Sequence, residues 1–456
     1  MLSDSVRSAN AKDTGTVASG RRLVGPGPDV LALALLALHV LLVFRLRVVA
    51  WPEVTTPGYL WSRGLEMYRD IKREHTPGAT GLLAIAFLLF GVRGFTLELF
   101  ALAGPLAAHV AILRGTRPFS PAVRALASAF FLALFYAADG NAVWPTVLMS
   151  ALAIPIAAAL SRGSPARAGL LLGLAILLKQ TAAYALLLTA IVFLLRRRPR
   201  DAAQLFLAGS LPYVAALALF TAAGAGRDML RWTLVVPFTV PVPVARFAPS
   251  LGTLAAVILP FLPLAIETAR ERPGEFDVSA RDLLLVAAGL TLICFPRFDM
   301  LQTVAGLPCL AVGAARLMNR EPRRRAVWAV AFVATMAVSR AAVLAAGGTF
   351  DGRILFWNDE PAFNVLVGRL RALPPAPVHS ELWGNVLPRA ERLPPGRLWV
   401  HPWFGWFFGV DRVGARIAEE SARPGTILVG FRGARPGGET VGPYEIRVVG
   451  GPPRAP

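Results

Sequence analysis

The residue types suited to acid–base work gather in one polar stretch of an otherwise apolar chain. Residues 51–91, WPEVTTPGYLWSRGLEMYRDIKREHTPGATGLLAIAFLLFG, hold the acids Glu53, Glu66, Asp70 and Glu74, the bases Arg63, Arg69, Lys72 and Arg73, and His75 among aromatics. Three further charges stand at the edges of apolar runs: Asp139 in YAADGNAVW, Lys179 closing GLLLGLAILLKQTA, and Arg297 in FPRFDM. A charge at membrane depth is costly, so it faces a partner or a wet cavity. Each has a plainer role too: Lys179 and Arg297 can snorkel to head groups, and Asp139 can cap a helix starting near Val143. Two cations and two acids on one membrane face can do more. They can bind an anionic lipid head group and activate a nucleophile beside it.

The elements that must position these groups are membrane helices. The chain has 456 residues, 55% of them hydrophobic and only 16% charged, with a mean hydropathy of +0.55. Its apolar runs are long and continuous, without strand alternation, which favours a helical bundle over a barrel. The net charge of +19 is nearly all arginine. On a soluble chain it would suggest nucleic acid; here the arginines lie in short loops and set topology, so no nucleic-acid partner is expected. Cys294 and Cys309 fall in or beside spans, so no disulfide frame is expected in the polar C-terminal part.

Residues 1–28 read as a cytoplasmic tail, without a cleaved signal. A first span covers residues 30–49, close to the ~20 residues a bilayer needs. Arg45 and Arg47 near its outer end either snorkel or face a phosphate. The tail of the polar stretch, residues 77–90, is apolar but only ~14 residues long, which suits an interfacial segment. Parity supports this. With that segment interfacial, the arginine clusters at 114–117, 162–167, 196–200, 270–281 and 316–325 all face the cytoplasm; counted as a span, it would turn them outward. The remaining spans bring the total to about eleven. The fifth and sixth are short and meet at Lys179-Gln180-Thr181, and the C-terminus lies outside. Residues 29–346 thus form a transmembrane domain, and 51–91 its first external loop. Residues 223–250 read as a proline-rich external loop. Residues 347–456 read as a small extracytoplasmic α/β domain, with helices from Pro361 and over 411–422, and strands near 398–403, 426–431 and 444–449.

No nucleotide-binding glycine loop, HExxH or CxxC is present, and His75, His379 and His401 are too scattered to argue for a metal. An outward site has no access to cytoplasmic nucleotide, so a transferase there needs a donor delivered in the membrane.

The first loop resembles that of the GT-C glycosyltransferases that use polyprenyl-phosphate sugars, the group of protein O-mannosyltransferases (glycosyltransferase family 39) and lipid A aminoarabinose transferases. The group's usual form is an acid, a Tyr, a Gly-x-x-Tyr-x-Asp run and a His-x-Pro-Pro/Gly turn before an interfacial helix: here Glu53, Tyr59, Tyr68-Arg69-Asp70, with Gly64 one residue further from Tyr68, and His75-Thr76-Pro77-Gly78. ARAGLLLGLAILLKQTA looks like the group's Gly-rich span ending in Lys-Pro/Gln-Thr, and FPRFDMLQTVAGLPCLAVGA is similar to its late Arg-containing segment. LPRAERLPPGRLWVHPWF resembles the C-terminal region of such transferases. The family's first-loop acid is usually Asp-Glu; here Pro52-Glu53 stands in its place with a longer spacing to Tyr59, and Asp299-Met300 replaces the late His-Tyr.

The resemblance implies a GT-C-like fold and a polyprenyl-phosphate sugar donor. The acceptor would be a lipid, glycan or protein at the outer face of the cytoplasmic membrane. Glu53 matches the family's candidate general base and Asp139 the acid after the third span. Lys179 and Arg297 match cations near the donor phosphate, and Asp70 is the alternative base, with Tyr59 and His75 as secondary candidates. Inversion at an anomeric carbon needs a carboxylate within reach of the acceptor hydroxyl and cations at the leaving phosphate. Polyprenyl phosphate is already a fair leaving group, so this chemistry requires no metal or other cofactor. The rival is a transporter or lipid flippase, which predicts broken spans and an internal repeat; no repeat is evident between the halves.

Overall fold

A computed structural model describes residues 30–239, 251–272, 274–294, 300–345, 361–382, 384–400, 411–433 and 438–450. Arg297 and Asp299 lie outside the described residues, as do the tail expected over 1–28, Pro241, Pro243 and Arg246, and the aromatic run at 401–410.

The first apolar run is α1 (Val30–Arg45). The polar stretch folds into α2 (Pro52–Ser62), a two-residue strand β1 (Ile71–Lys72) and α3 (Gly78–Phe90). Six apolar helices follow: α4 (Gly94–Gly115), α5 (Pro121–Ala137), α6 (Pro145–Ser161), α7 (Pro165–Leu178), α8 (Ala183–Leu195) and α9 (Pro199–Ala222). Proline opens α2, α5, α6, α7 and α9. There its missing N–H is an orphan anyway and its fixed φ suits the first turn. Three later helices matter here: α10 (Ala280–Thr291), α11 (Leu307–Arg320) and α12 (Arg325–Ala345). Among the described residues, Gly94–Gly115, Pro199–Ala222 and Leu301–Arg320 are long and apolar enough to cross a membrane, and shorter apolar helices pack around them. The 13 residues of α3 rise about 20 Å, less than the ~30 Å hydrocarbon layer.

Small residues set the closest helix contact, between α7 and α9. A Cβ at Gly169 would lie 2.2 Å from the Leu205 carbonyl oxygen, and one at Gly173 2.3 Å from that of Gly209. Only glycine, repeated one turn apart, allows the two backbones so near.

Four of the five arginine clusters meet at one end of the bundle. Phe119, after Arg117, packs edge-on against Phe276. Ser161, before Arg162, donates to Asp282 at the start of α10. Arg316 pairs with Glu271 at 3.0 Å, and Arg320 with Glu267 at 2.9 Å and Glu275 at 2.7 Å.

Two expectations change. The first part of the expected 223–250 loop is helical: Gly226–Leu230, a π-type turn over Arg231–Val235, then Val236–Thr239. Tertiary contacts hold it, with Lys72 facing Asp228 at 3.8 Å and the Thr233 and Tyr213 hydroxyls 2.7 Å apart. Asp139 caps no helix: α6 starts two residues later than Val143, its N-cap is Trp144, and no side chain caps it.

The C-terminal part holds α13 (Pro361–Ala372), α14 (Asp411–Ser421) and a four-stranded sheet of β2 (Val378–Ser380), β4 (Ile427–Phe431), β5 (Glu439–Val441) and β6 (Tyr444–Val448), ordered β2-β4-β6-β5. β2 runs parallel to β4; β6 is antiparallel to both its neighbours. Phe363, Leu366, Leu370, Tyr444 and Ile446 are buried in its core. The fifth short segment, β3 (Trp399–Val400), leaves this sheet and pairs in parallel with β1 of the polar stretch. The Trp399 amide donates to the Asp70 carbonyl (2.9 Å), the Asn385 side-chain amide to that of Ala50 (2.6 Å), and Arg397 to that of Gly64 (2.6 Å). Thr55 also bonds Asn385. The C-terminal part thereby holds the polar stretch at its start and again over residues 64–72.

Candidate active site

The helix α7 stops at Lys179, whose φ of −155° and ψ of 120° leave the helical region; a 3-10 turn, Gln180–Ala182, leads into α8. The break turns the Lys179 ammonium sideways into the protein, where it is 5% exposed. It donates to the Gln302 side-chain oxygen at 2.5 Å and lies 5.3 Å from the centre of the Trp144 ring. The Trp144 indole N–H donates to the same Gln302 oxygen at 3.2 Å. Trp144 also packs against Trp51 and meets the His75 ring edge-on at 6.0 Å.

The polar stretch reaches the same spot from the other side. Gln180 Nε2 donates to the Glu74 carbonyl at 2.8 Å, and Thr76 Oγ1 to the Ile176 carbonyl at 2.8 Å. These bonds fix the segment 73–76 against the end of α7. The Glu74 carboxylate stands 3.1 Å from His75 Nε2, with side-chain exposures of 16% and 14%. Glu74 Oε2 has no hydrogen-bond partner among the described residues. Burial pushes the Glu74 carboxyl up to about 7, against the lowering pull of Arg73 and Lys179; the nearby charge of Glu53 pushes it further up. Arg73 is itself buried, donates to Thr80 at 2.9 Å, and feels both Glu74 and Glu53. Burial lowers the pKa of its guanidinium. Glu53, 7% exposed, lies in the first turn of α2, where the helix N-terminus favours a negative charge.

The structure therefore brings together Glu53, His75 and Lys179 of the residues expected from sequence. It does not bring in Asp139, Asp70 or Tyr59. Asp139 is exposed, at a corner with φ of +52°. Asp70 accepts from the Glu66 amide at 2.9 Å and faces Arg397 at 3.6 Å, as part of the latch to the C-terminal part. Tyr59 is buried with the Arg63 guanidinium 5.4 Å from its ring centre. Burial raises its phenol pKa, and the charges near it, Arg63, Glu391 and Arg392, point to the C-terminal part. Glu74, Trp144 and Gln302 join the cluster unexpectedly. Gln302 had one usable signal, a lone amide in the apolar run MLQTVAGLP. Among the described residues no three of His, Cys, Asp and Glu converge as metal ligands.

Beside the cluster opens an apolar cavity of about 830 Å³ between α3, α4, α6, α7 and α9. Leu178, next to Lys179, and Pro77, two residues after His75, both line it. Gly78, Gly81, Ala103, Gly104 and Ala151 make the room; Trp61, Leu152 and Phe220 provide apolar wall.

No family model matches the chain, and no curated protein matches it. Solved structures do, two of ArnT among them. The chain is 16% identical to ArnT from Cupriavidus metallidurans in the apo state, covering 88% of this chain and 92% of that one, with a TM-score of 0.55. It is 13% identical to ArnT from the same organism bound to undecaprenyl phosphate, covering 92% of this chain and 98% of that one, with a TM-score of 0.58. The chain has the GT-C fold of ArnT, as its first-loop resemblance implied.

Proposed function

We propose that this protein is an integral membrane glycosyltransferase of the cytoplasmic membrane. It moves a sugar from a polyprenyl-phosphate carrier to a lipid, glycan or protein acceptor at the outer face. One observation carries this: an ammonium and two buried carboxylates from separate segments, Lys179, Glu53 and Glu74, meet beside a large apolar cavity. A polyprenyl-phosphate sugar has the matching parts, an apolar chain, an anionic phosphate and an anomeric carbon between phosphate and acceptor. The fold shared with ArnT, one of whose structures holds undecaprenyl phosphate, supports the same donor class.

The isoprenoid chain lies in the cavity. Lys179 meets the phosphate and offsets the charge that grows on it as the glycosidic bond breaks, an effect strengthened where water is scarce. The base that takes the acceptor proton comes from the carboxylate pair. Arg297, adjoining the segment that carries Gln302, is a second candidate for the phosphate. The arginine-rich end faces the cytoplasm and the C-terminal part the outside, as the positive-inside trend requires.

The test has two arms. Glu53→Gln and Lys179→Ala should each abolish transfer from a polyprenyl-phosphate sugar while the protein stays folded; full activity in both sinks the mechanism. Lipid extracts of cells lacking the protein should accumulate one polyprenyl-phosphate sugar and lose the sugar from one glycan. A transporter would instead move its lipid across the bilayer with the sugar still attached.

A further inference from the structure

We infer that Glu74 is the proton acceptor of this site and that His75 carries the proton away. The inference rests on the transferase reading above and deepens it.

Geometry separates the two carboxylates. Glu53 lies in the first turn of α2, away from the Glu74–His75 contact. Glu74 sits on no helix. Its backbone is tied through Gln180 to the segment carrying Lys179, so proton acceptor and phosphate cation are fixed relative to each other. One of its oxygens contacts His75; the other, Oε2, is buried without a hydrogen-bond partner among the described residues. A buried carboxylate oxygen left open is costly; an acceptor hydroxyl is a group that would fill it.

The groups facing Glu74 agree with this. Arg73 precedes it in the chain, Glu53 approaches from α2 and Lys179 from the end of α7. His75 is in contact, and its own carbonyl is held by the Tyr68 hydroxyl at 2.9 Å. Burial and the Glu53 charge leave Glu74 with a pKa of about 7, near the value at which a base both accepts and releases protons at neutral pH.

The step balances within the two substrates. The acceptor O–H proton passes to Glu74 Oε2 as the acceptor oxygen forms its bond to the anomeric carbon. The bond from that carbon to the phosphate oxygen breaks, and its electron pair leaves with polyprenyl phosphate beside Lys179. Glu74 then releases the proton through His75 Nε2. Nothing is oxidised or reduced.

The full chain in lipid nanodiscs, given polyprenyl-phosphate hexoses and pentoses with a membrane lipid and glycan extract as acceptor, tests this by release of polyprenyl phosphate. The wild-type rate should fall about tenfold per pH unit below about 7. Glu74→Gln should lower it about 100-fold or more and abolish that acid limb, and Glu74→Asp should restore part of both. His75→Gln should slow turnover and shift the limb without removing it. Binding of undecaprenyl phosphate should be unchanged in Glu74→Gln, which shows that this variant is folded. A Glu74→Gln rate within threefold of wild type, or one that keeps the acid limb, overturns the inference and leaves the transferase standing. A wild type that neither binds undecaprenyl phosphate nor uses any donor removes both.

Discussion

At the arginine-rich end of the bundle Glu267 is fully buried and takes hydrogen bonds at 2.9 and 3.2 Å from one Arg320 guanidinium. At the other end the Glu74 side chain is 16% exposed, and its buried Oε2 has no hydrogen-bond partner among the described residues. The neighbours repeat the contrast. Glu271 accepts from Arg316, which lies 4.3 Å from the centre of the Phe276 ring, and Ser279, Ser161 and Asp282 close a local network at the start of α10. Around Glu74 the cation Arg73 donates to Thr80 and Lys179 to Gln302. Charges that saturate one another hold helices together. A carboxylate with spare hydrogen-bonding capacity costs stability and remains available to a substrate.

The comparison can be broken most sharply at Arg316, which is 3% exposed. Arg316→Ala strands Glu271 and should cost about 3–5 kcal/mol of stability, the usual penalty for half of a buried pair; chemical unfolding in detergent would show it. A loss under ~1 kcal/mol would mean that water enters that end freely. Next in size is Lys179→Ala. Transfer should drop about 10²–10³-fold, as when one donor to a developing anion is removed, with little change in the unfolding midpoint. A large stability loss would make Lys179 a structural residue.

The third prediction has the opposite sign to the first. The folded-state pKa of Glu74 is raised, so the folded protein binds its proton more tightly than the unfolded chain does. The cost is absent below about pH 4.5 and grows until pH passes about 7. Glu74→Gln should therefore stabilise the protein by about 2–3 kcal/mol at pH 8 and by nothing measurable near pH 4. Destabilisation at pH 8 would place Glu74 in the same class as Glu267. The smallest effect sharpens the paired end: Ser279 accepts from the Asp282 amide as the N-cap of α10, so Ser279→Ala should cost about 1 kcal/mol in the same unfolding experiment.

Local signals made much of this legible in the sequence. Proline marked helix starts, arginine clusters marked loops that the structure gathers at one end, and the run ILVGF marked β4. β2 was not seen because three residues, Val378–Ser380, carry no period. β1 and β3 were not paired because two-residue strands exist only through each other. The helical segment over 226–239 was hidden behind the prolines from Pro237 onward and is held by distant partners. Lys179 stood out as a cation ending an apolar run. Glu74 did not: in the sequence it is one acid among four, and what distinguishes it, enclosure beside Gln180 and His75, arises only when α7 packs on the polar stretch.

The pairing of β1 with β3, and of Thr55 and Ala50 with Asn385, joins residues 328, 330 and 335 positions apart. At ~5–20 residues per second of synthesis, the stretch bearing both carboxylates waits roughly 15–65 s on the ribosome before its fastening is made. Until then the helices can already be in the bilayer while the stretch stays unlatched. A nascent or prematurely stopped chain would insert without that fastening, so the polar stretch is held in place only when translation is nearly finished.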